Sequence, residues 1–307
     1  MTSSASHTDI YQKITDDIIE ALEQGQAPWV RPWRDGEPVF PVNIASGRAY
    51  NGINIPLLWR SADKNGYEND RWLTFHQALQ AGGNVRKGEK STFAALYLPK
   101  ERELRDKDGT QLLNDDGTPQ VTQFAIMREF RLFNVAQCEG LPESFFAPVA
   151  QILSPLDTAE NIKTHSGVTI AHSQQNKAYY YPAQDRIMLP HPAQFPGKEA
   201  YYSTLLHELT HATGHHSRLS REGITSPTAR FGNAHYAFEE LVAEMGSAFL
   251  CAHAGIPSRL QHASYIASWL KILREDNKAI IRASGQARQA CEWLLKQAAE
   301  QPYRLSA

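Results

Sequence analysis

Apolar side chains that recur every three or four positions predict helices at both ends of this chain. The first pattern runs over residues 10–22, begins after a capping Ser6 or Thr8 and ends at Gly25. A shorter helix is predicted over 72–81. Further helical patterns occupy the second half of the chain at 158–164, 198–215, 236–254 and 258–297, the last of them broken near Asp276.

Runs of β-branched and aromatic residues predict five strands in two groups. The first group, 92–98 and 121–133, flanks a charged stretch with Asp-Gly steps at Asp108-Gly109 and Asp116-Gly117. Because Asp-Gly supplies the positive-φ residue of a tight turn, we expect a hairpin that projects into solvent. The second group precedes the long helices and comprises 168–172, 178–181 and 186–189.

The order of these elements predicts the α+β class and two domains. A chain of 307 residues exceeds the usual size of a single hydrophobic core, and a proline-rich break follows Gly140. We therefore expect a small N-terminal α+β domain over 1–145. The second domain, 146–307, is α+β as well, with strands first and helices after.

Composition narrows the class of protein. Hydrophobic residues make up 42% of the chain, charged residues 21%, and the net charge is −2, which indicates a globular protein and excludes a uniformly basic nucleic-acid coat. Three cysteines without a Cys-x-x-Cys pair exclude a disulfide framework and favour a reducing cytoplasm. The N-terminus lacks a secretory pattern, and no apolar run approaches the roughly 20 residues that span a bilayer. We expect a cytoplasmic protein without a membrane partner.

An HExxH motif lies within the pattern over 198–215, as His207, Glu208 and His211. Residues four apart share one face of a helix, so both imidazoles can bind one metal ion. Glu208 can then take a proton from a metal-bound water. The sequence therefore predicts a catalytic metal centre with Glu208 as the general base.

The third ligand decides the subclass of metal site. A metzincin needs a histidine where this chain has Ser217, which excludes that subclass. The next helical pattern offers Glu240 and Glu244 on one face. This resembles the thermolysin-like (gluzincin) arrangement, where a helical Glu binds the metal and an acid four residues later orients a ligand histidine. The resemblance implies Glu240 as ligand and Glu244 as the supporting acid. An exchange of these roles, or Glu239 as the ligand, stays open.

Two histidines, a glutamate and an open fourth position favour Zn²⁺, and Mn²⁺ or another divalent metal is compatible with the same ligands. A peptidase also needs a substrate cradle, for which the strand over 186–189 offers an edge. Tyr236 or His235 is then placed to approach the oxyanion.

The segment before the charged hairpin combines aromatic rings with positive charge. Residues 26–100 hold ten Lys/Arg and six Asp/Glu, a local net charge of +4, together with four of the six tryptophans. This mixture is typical of a groove in which bases stack on rings and cations follow phosphates. The alternative is that the rings build the core of a small domain.

Six segments, in this order, resemble the ArdC family of plasmid antirestriction proteins. They are PWVRPW, PVNIASGRAYNGIN, WLTFHQALQAGGNVRKGEK, FRLFNVAQCEGLP, LLHELTHATGHHSRLSR and FGNAHYAFEELVAE. The resemblance implies an N-terminal single-stranded DNA-binding domain and a C-terminal zincin-like metallopeptidase domain. It also implies protection of incoming plasmid DNA from restriction during conjugation. For the metal centre it carries over His207, Glu208, His211 and Glu240.

The resemblance carries over the arm from 29 to 51 as a DNA-binding region. The candidate contacts there are Trp29, Arg31, Trp33, Arg34, Arg48, Tyr50 and Asn51. Two classes of function follow: a protein that shields single strands or their new duplex, and a peptidase delivered to a target near DNA, such as a restriction enzyme. Glu208 favours a site capable of hydrolysis, since a purely structural metal needs no general base. A third hypothesis keeps the zincin fold only as an interaction module.

Overall fold

The computed structural model describes residues 9–30, 40–147, 154–226, 233–260 and 263–300. Its helices are α1 Ile10–Glu23, α2 Asn54–Lys64, α3 Phe75–Gln80, α4 Pro155–His165, α5 Lys198–Thr213, α6 Glu222–Thr225, α7 Ala234–Ala254, α8 Ile266–Glu275 and α9 Ala279–Glu300. Its strands are β1 Val42–Asn43, β2 Arg48–Ala49, β3 Arg71–Leu73, β4 Asn84–Val85, β5 Thr92–Glu103, β6 Val121–Asn134, β7 Cys138–Glu139, β8 Thr169–Ser173, β9 Tyr179–Tyr181 and β10 Arg186–Pro190. The predicted α+β class is confirmed. Within these ranges no helix is both long and apolar enough to cross a bilayer.

The N-terminal half is built on a five-stranded sheet with the order β2-β1-β3-β6-β5. The predicted hairpin is present, because β5 pairs antiparallel with β6 along its whole length. Gly109 and Gly117 have φ angles of 85° and 79°, the left-handed conformation expected of the Asp-Gly steps. Strand β5 is an edge of this sheet. The Asn54 side chain partly covers that edge by hydrogen bonding to the backbone N–H and C=O of Ala95.

Three details of this half differ from the predictions. Asp9 caps α1, whereas the predicted caps, Ser6 and Thr8, lie outside the described residues. The predicted second helix is a strand, β3, followed by the short helix α3, because Thr74 forms a capping box that starts the helix there. Helix α2 was not predicted, because its apolar residues at 55–59 form a short continuous run that contains Pro56 and fits a buried strand as well as a helix.

The C-terminal half places a three-stranded sheet of order β8-β10-β9 before its long helices. All the elements predicted here are present, and α8 and α9 separate at Asp276 as expected, but α8 begins at Ile266 and not at the predicted residue 258. Strand β10 pairs parallel with β8 and antiparallel with β9. The prediction that 186–189 offers an edge to a peptide is therefore wrong, because both sides of β10 are occupied. The edges of this sheet are β8 and β9.

One hydrophobic core extends through both halves of the chain. It includes Ile14 and Ile18 of α1 together with residues of α5, α7, α8 and α9. The ring of Trp29, after α1, meets that of Trp269 in α8 edge to face, with centroids 5.7 Å apart. Trp59 of α2 meets Phe249 of α7 in the same way at 6.2 Å. The halves predicted as separate domains therefore share a packed interface.

Candidate functional site

The three predicted metal ligands converge between α5 and α7. His207 and His211 lie one turn apart on α5, and Glu240 faces them from α7. The Glu240 carboxylate oxygens lie 3.5 Å from His207 Nε2 and 3.7 Å from His211 Nε2. One ligand atom from each of the three residues falls within 4.8 Å of the others, and all three side chains are buried. This is a donor set that suits a divalent transition metal.

A glycine lets the two helices come this close. A Cβ atom on Gly246 of α7 would lie 2.5 Å from Cγ2 of Thr210, which is on α5 next to His211. One residue further along α7, the Ser247 hydroxyl donates a hydrogen bond of 3.1 Å to the Ser203 carbonyl of α5. Small residues at this crossing therefore set the distance between Glu240 and the two histidines.

A second acid orients one of the histidines. Glu239 Oε1 lies 3.3 Å from His211 Nδ1, and the guanidinium of Arg221 binds the same carboxylate at 2.6 and 3.0 Å. Arg221 also donates to the Thr213 hydroxyl and the Thr210 carbonyl, at 2.7 and 2.6 Å. Because Arg221 and Glu239 are both buried, this ion pair holds the His211 ring at Nδ1, while Nε2 faces Glu240.

In the sequence, Glu239 is only an alternative ligand, and the resemblance to gluzincins implies the supporting role for Glu244. Glu244 is buried one turn beyond Glu240 on α7, and its supporting role stays a prediction. Arg221 was not singled out at all, although it lies in the segment that follows the HExxH helix.

The protonation states suit a cation in this position. Burial lowers the pKa of His207, which keeps that imidazole neutral. Burial opposes ionisation of Glu240, but the neighbouring histidines outweigh it and hold the pKa of this carboxyl below its usual range. Burial also opposes protonation of His211, yet the charges of Glu240 and Glu239 raise its pKa to about 10. A metal that binds here takes the place of the His211 proton.

The ligands open into a cavity of about 210 Å³ that Glu208 and Tyr236 also line. Glu208 is buried beside the histidines, as the HExxH spacing predicts. Burial and the nearby Glu240 carboxylate, to which the hydroxyl hydrogen bonds, raise the pKa of Tyr236. Of the two candidate oxyanion groups, only Tyr236 lines the cavity, whereas His235 is exposed. Tyr179 of the edge strand β9 forms part of the wall.

A polar cluster connects β9 to the end of α5, the helix that carries the two candidate histidine ligands. Asp185, in the turn between β9 and β10, accepts hydrogen bonds from the Tyr180 hydroxyl at 2.8 Å and from Arg218 at 2.9 Å. Arg218 also donates to the Ala212 carbonyl on α5 at 2.7 Å. Tyr180 lies in β9 itself, so this cluster fixes the edge strand against the helix that carries the ligands.

The candidate DNA contacts separate into three sets. Arg31, Trp33 and Arg34 lie outside the described residues. Trp29 is fully buried in the shared core, so the direct contact predicted for it is corrected to a packing role, because an inaccessible ring cannot stack on a base. The remaining candidates are Arg48, which is exposed, and Tyr50 and Asn51, which line a second cavity.

Two family models match successive parts of the chain. Residues 8–133 match the N-terminal domain of the anti-restriction factor ArdC, and residues 157–286 match a zincin-like metallopeptidase domain. The predicted boundary between 145 and 146 falls between these two ranges.

Solved structures match the whole fold. The metal-free crystal structure of the antirestriction protein ArdC from plasmid R388 has a TM-score of 0.78 and 36% identity, over 96% of this chain and 100% of that one. Its Mn(II)-bound form has a TM-score of 0.76 and 34% identity over the same shares.

Two relatives match nearly the whole chain in sequence. The uncharacterised protein y4eC of Sinorhizobium fredii (strain NBRC 101917 / NGR234) is 36% identical over 293 residues, which cover 94% of this chain and 92% of that protein. The DNA primase TraC of Escherichia coli is 39% identical over 296 residues, 93% of this chain but only 27% of the primase. The region that this chain represents therefore occurs both as a protein of similar length and as part of a larger one.

Proposed function

Because the chain belongs to the ArdC antirestriction family, we propose that it protects incoming plasmid DNA from host restriction by binding that DNA as a single strand. The observation that carries this proposal is the match with an antirestriction protein along nearly the whole chain, in sequence and in fold. The similar region of a DNA primase agrees with a role on DNA. Double-stranded DNA and a restriction enzyme are further candidate partners.

The surface chemistry supports single-strand binding. Arg48 is exposed on β2, and Tyr50 and Asn51, two and three residues later, line a cavity. An accessible ring can stack on an unpaired base, and a nearby guanidinium can contact a phosphate. A base inside a duplex does not offer its face to such a ring, so we expect a preference for single strands.

Fluorescence anisotropy with a labelled oligothymidylate tests this directly. Affinity should fall roughly tenfold to twentyfold between about 50 and about 200 mM salt if three phosphates are contacted, and Arg48→Ala should weaken binding. Lys271→Ala is the matched control, because Lys271 is an exposed cation on α8 that does not line this cavity. Failure of the wild-type protein to bind, or equal binding to a duplex of the same length, would contradict the proposal.

We further infer that the second domain holds a divalent metal through His207, His211 and Glu240. The fit rests on three buried donors that converge and on a carboxylate that stays ionised. Zn²⁺ is the ion that this donor set favours, and Mn²⁺, present in the related crystal structure, is compatible with it. When bound, such a cation acidifies water and polarises a carbonyl group.

A second candidate function, peptide hydrolysis, is favoured by the position of Glu208 in the same cavity as an edge strand. In that reaction Glu208 takes a proton from water and passes it to the leaving amine. The Tyr236 hydroxyl donates to the developing oxyanion, and the free side of β9 pairs with an extended substrate. A restriction enzyme is a substrate consistent with the family's role.

A further inference from the structure

A cavity larger than the one at the metal centre lies between the N-terminal half and α9. Its volume is about 620 Å³, which falls in the range of roughly 300–1,000 Å³ typical of sites that enclose organic ligands. One wall comes from residues 49–54 and the hairpin β5–β6. The other is a single face of α9, formed by residues 281, 284, 285 and 288. Both family regions therefore contribute to one cleft.

The N-terminal wall presents aromatic rings. Tyr50 and Phe130 stack with centroids 6.4 Å apart and an interplanar angle of 30°. Tyr97, on the edge strand β5, has 47% of its surface exposed, so its ring is accessible to a ligand. Asn51 adds an exposed amide that can hydrogen bond to a base edge.

The opposite wall supplies a positive charge. Arg288 is the charged residue among the described residues that line the cleft, and no carboxylate is among them. Its guanidinium pairs with Glu292 on the next turn of α9, a partly exposed ion pair of a kind that a phosphate can replace. The cleft therefore suits an anion that carries aromatic groups, because one wall presents rings, the other presents a guanidinium, and no acid is among the described lining residues.

Gly285 leaves space in the α9 wall of the cleft. Glycine in a helix interior disfavours the helix, so its presence in the middle of α9 requires a reason. Packing within the described chain does not provide one, because a Cβ atom on Gly285 would meet nothing within 4 Å. The missing side chain instead allows a ligand to approach the helix backbone closely.

We propose that this cleft, defined by Tyr50, Asn51, Tyr97, Phe130, Gly285 and Arg288, is the binding site for single-stranded DNA. Bases stack on the exposed ring of Tyr97 and on the accessible parts of the partly buried rings of Tyr50 and Phe130, and a phosphate contacts Arg288 across the cleft. The proposal rests on the single-strand binding proposed above. It adds that the C-terminal domain supplies one wall of the site, so that the strand contacts both domains at once.

Substitutions that fill the cleft with a side chain, or remove an aromatic ring from it, test the proposed binding site in the full-length protein. Gly285→Leu places a side chain in the groove while improving helix propensity, so single-strand affinity should fall at least tenfold with an unchanged or higher Tm. Tyr97→Ala should weaken binding about tenfold, through the loss of one stacked base. The matched controls are Ser268→Leu, exposed on α8 outside the cleft, and Tyr181→Ala, whose ring is 46% exposed on β9.

The outcomes separate this inference from the function on which it rests. Loss of oligothymidylate affinity in Gly285→Leu and Tyr97→Ala, with both controls at the wild-type level, supports the cleft. Equal affinity in all variants overturns the cleft and leaves single-strand binding in place. A wild-type protein that does not bind the oligonucleotide overturns the proposed function, and the cleft with it.

Discussion

Glu239 contacts both the buried Arg221 and His211, a candidate metal ligand, and its negative charge stabilises both contacts. The Glu239→Gln substitution replaces the carboxylate with a neutral amide, so the Arg221 guanidinium stays buried without its charge partner. We expect metal affinity to fall about 10- to 100-fold, as for other residues that support a ligand histidine. The free energy of unfolding should fall by about 3–5 kcal/mol. Calorimetric titration with Zn²⁺ or Mn²⁺ and urea denaturation measure the two effects.

Glu275→Gln is the control for this substitution, because Glu275 is an exposed acid whose ion pair with Lys271 contributes little. Wild-type metal affinity in Glu239→Gln would show that the carboxylate does not support His211.

Residue types and spacing were enough to predict that His207 and His211 share one face of α5, because residues four apart on a helix are neighbours on its surface. The acids were harder to assign. Glu239 and Glu240 are adjacent on α7 and therefore point about 100° apart around the helix. Which of them faces the Nε2 atoms of the two histidines depends on how α7 crosses α5. That crossing follows from Gly246 and its contact with Thr210, which are far apart in sequence.

At the scale of elements, the contact between α5 and α7 controls the metal centre. In Gly246→Ala the new methyl group would overlap the Thr210 side chain, so the helices must move apart. We expect a loss of about 1–3 kcal/mol in the free energy of unfolding. Metal binding should weaken as well, because Glu240 lies on the helix that moves. Thermal denaturation and metal titration of the single variant measure both losses.

The double variant Gly246→Ala/Thr210→Ala should recover part of both losses, because it removes the atoms that collide. A single variant with wild-type stability and metal affinity, or a double variant with no recovery, would contradict this account of the helix crossing.

Long periodic helices were predicted well, and errors fell on elements whose state depends on distant partners. The apolar run that begins β3 reads equally well as the start of a helix until its pairing with β6 is known. Strand β10 looked like an edge because it directly precedes α5. Its central position comes from β8 and β9, which precede it in the chain and pair on either side of it.

At the scale of the whole molecule, the shared core predicts that the two halves unfold together. Trp29 is fully buried against Trp269, so Trp29→Ala should lower the free energy of unfolding by about 3–5 kcal/mol. Circular dichroism and metal release should report the same shifted transition, because the core connects α1 to the helices of the metal domain. Tyr181→Ala, an exposed site, should leave it unchanged.

Two separate transitions, with only one displaced by Trp29→Ala, would show instead that the halves are independent. Length and element order predicted two regions, but they do not report the packing between them. That packing depends on Trp29 and Trp59, whose rings look equally suited to a DNA surface when only the sequence is considered.

We propose that DNA binding, and not hydrolysis at the metal centre, protects the incoming plasmid. Plasmid transfer into a restricting host tests this proposal, with wild-type protein and Glu208→Gln at matched expression. We expect equal protection, since Glu208 lies in the cavity of the metal centre and does not line the proposed DNA cleft. Lost protection in Glu208→Gln, with folding and single-strand binding unchanged, would contradict the claim and identify hydrolysis as the protective activity.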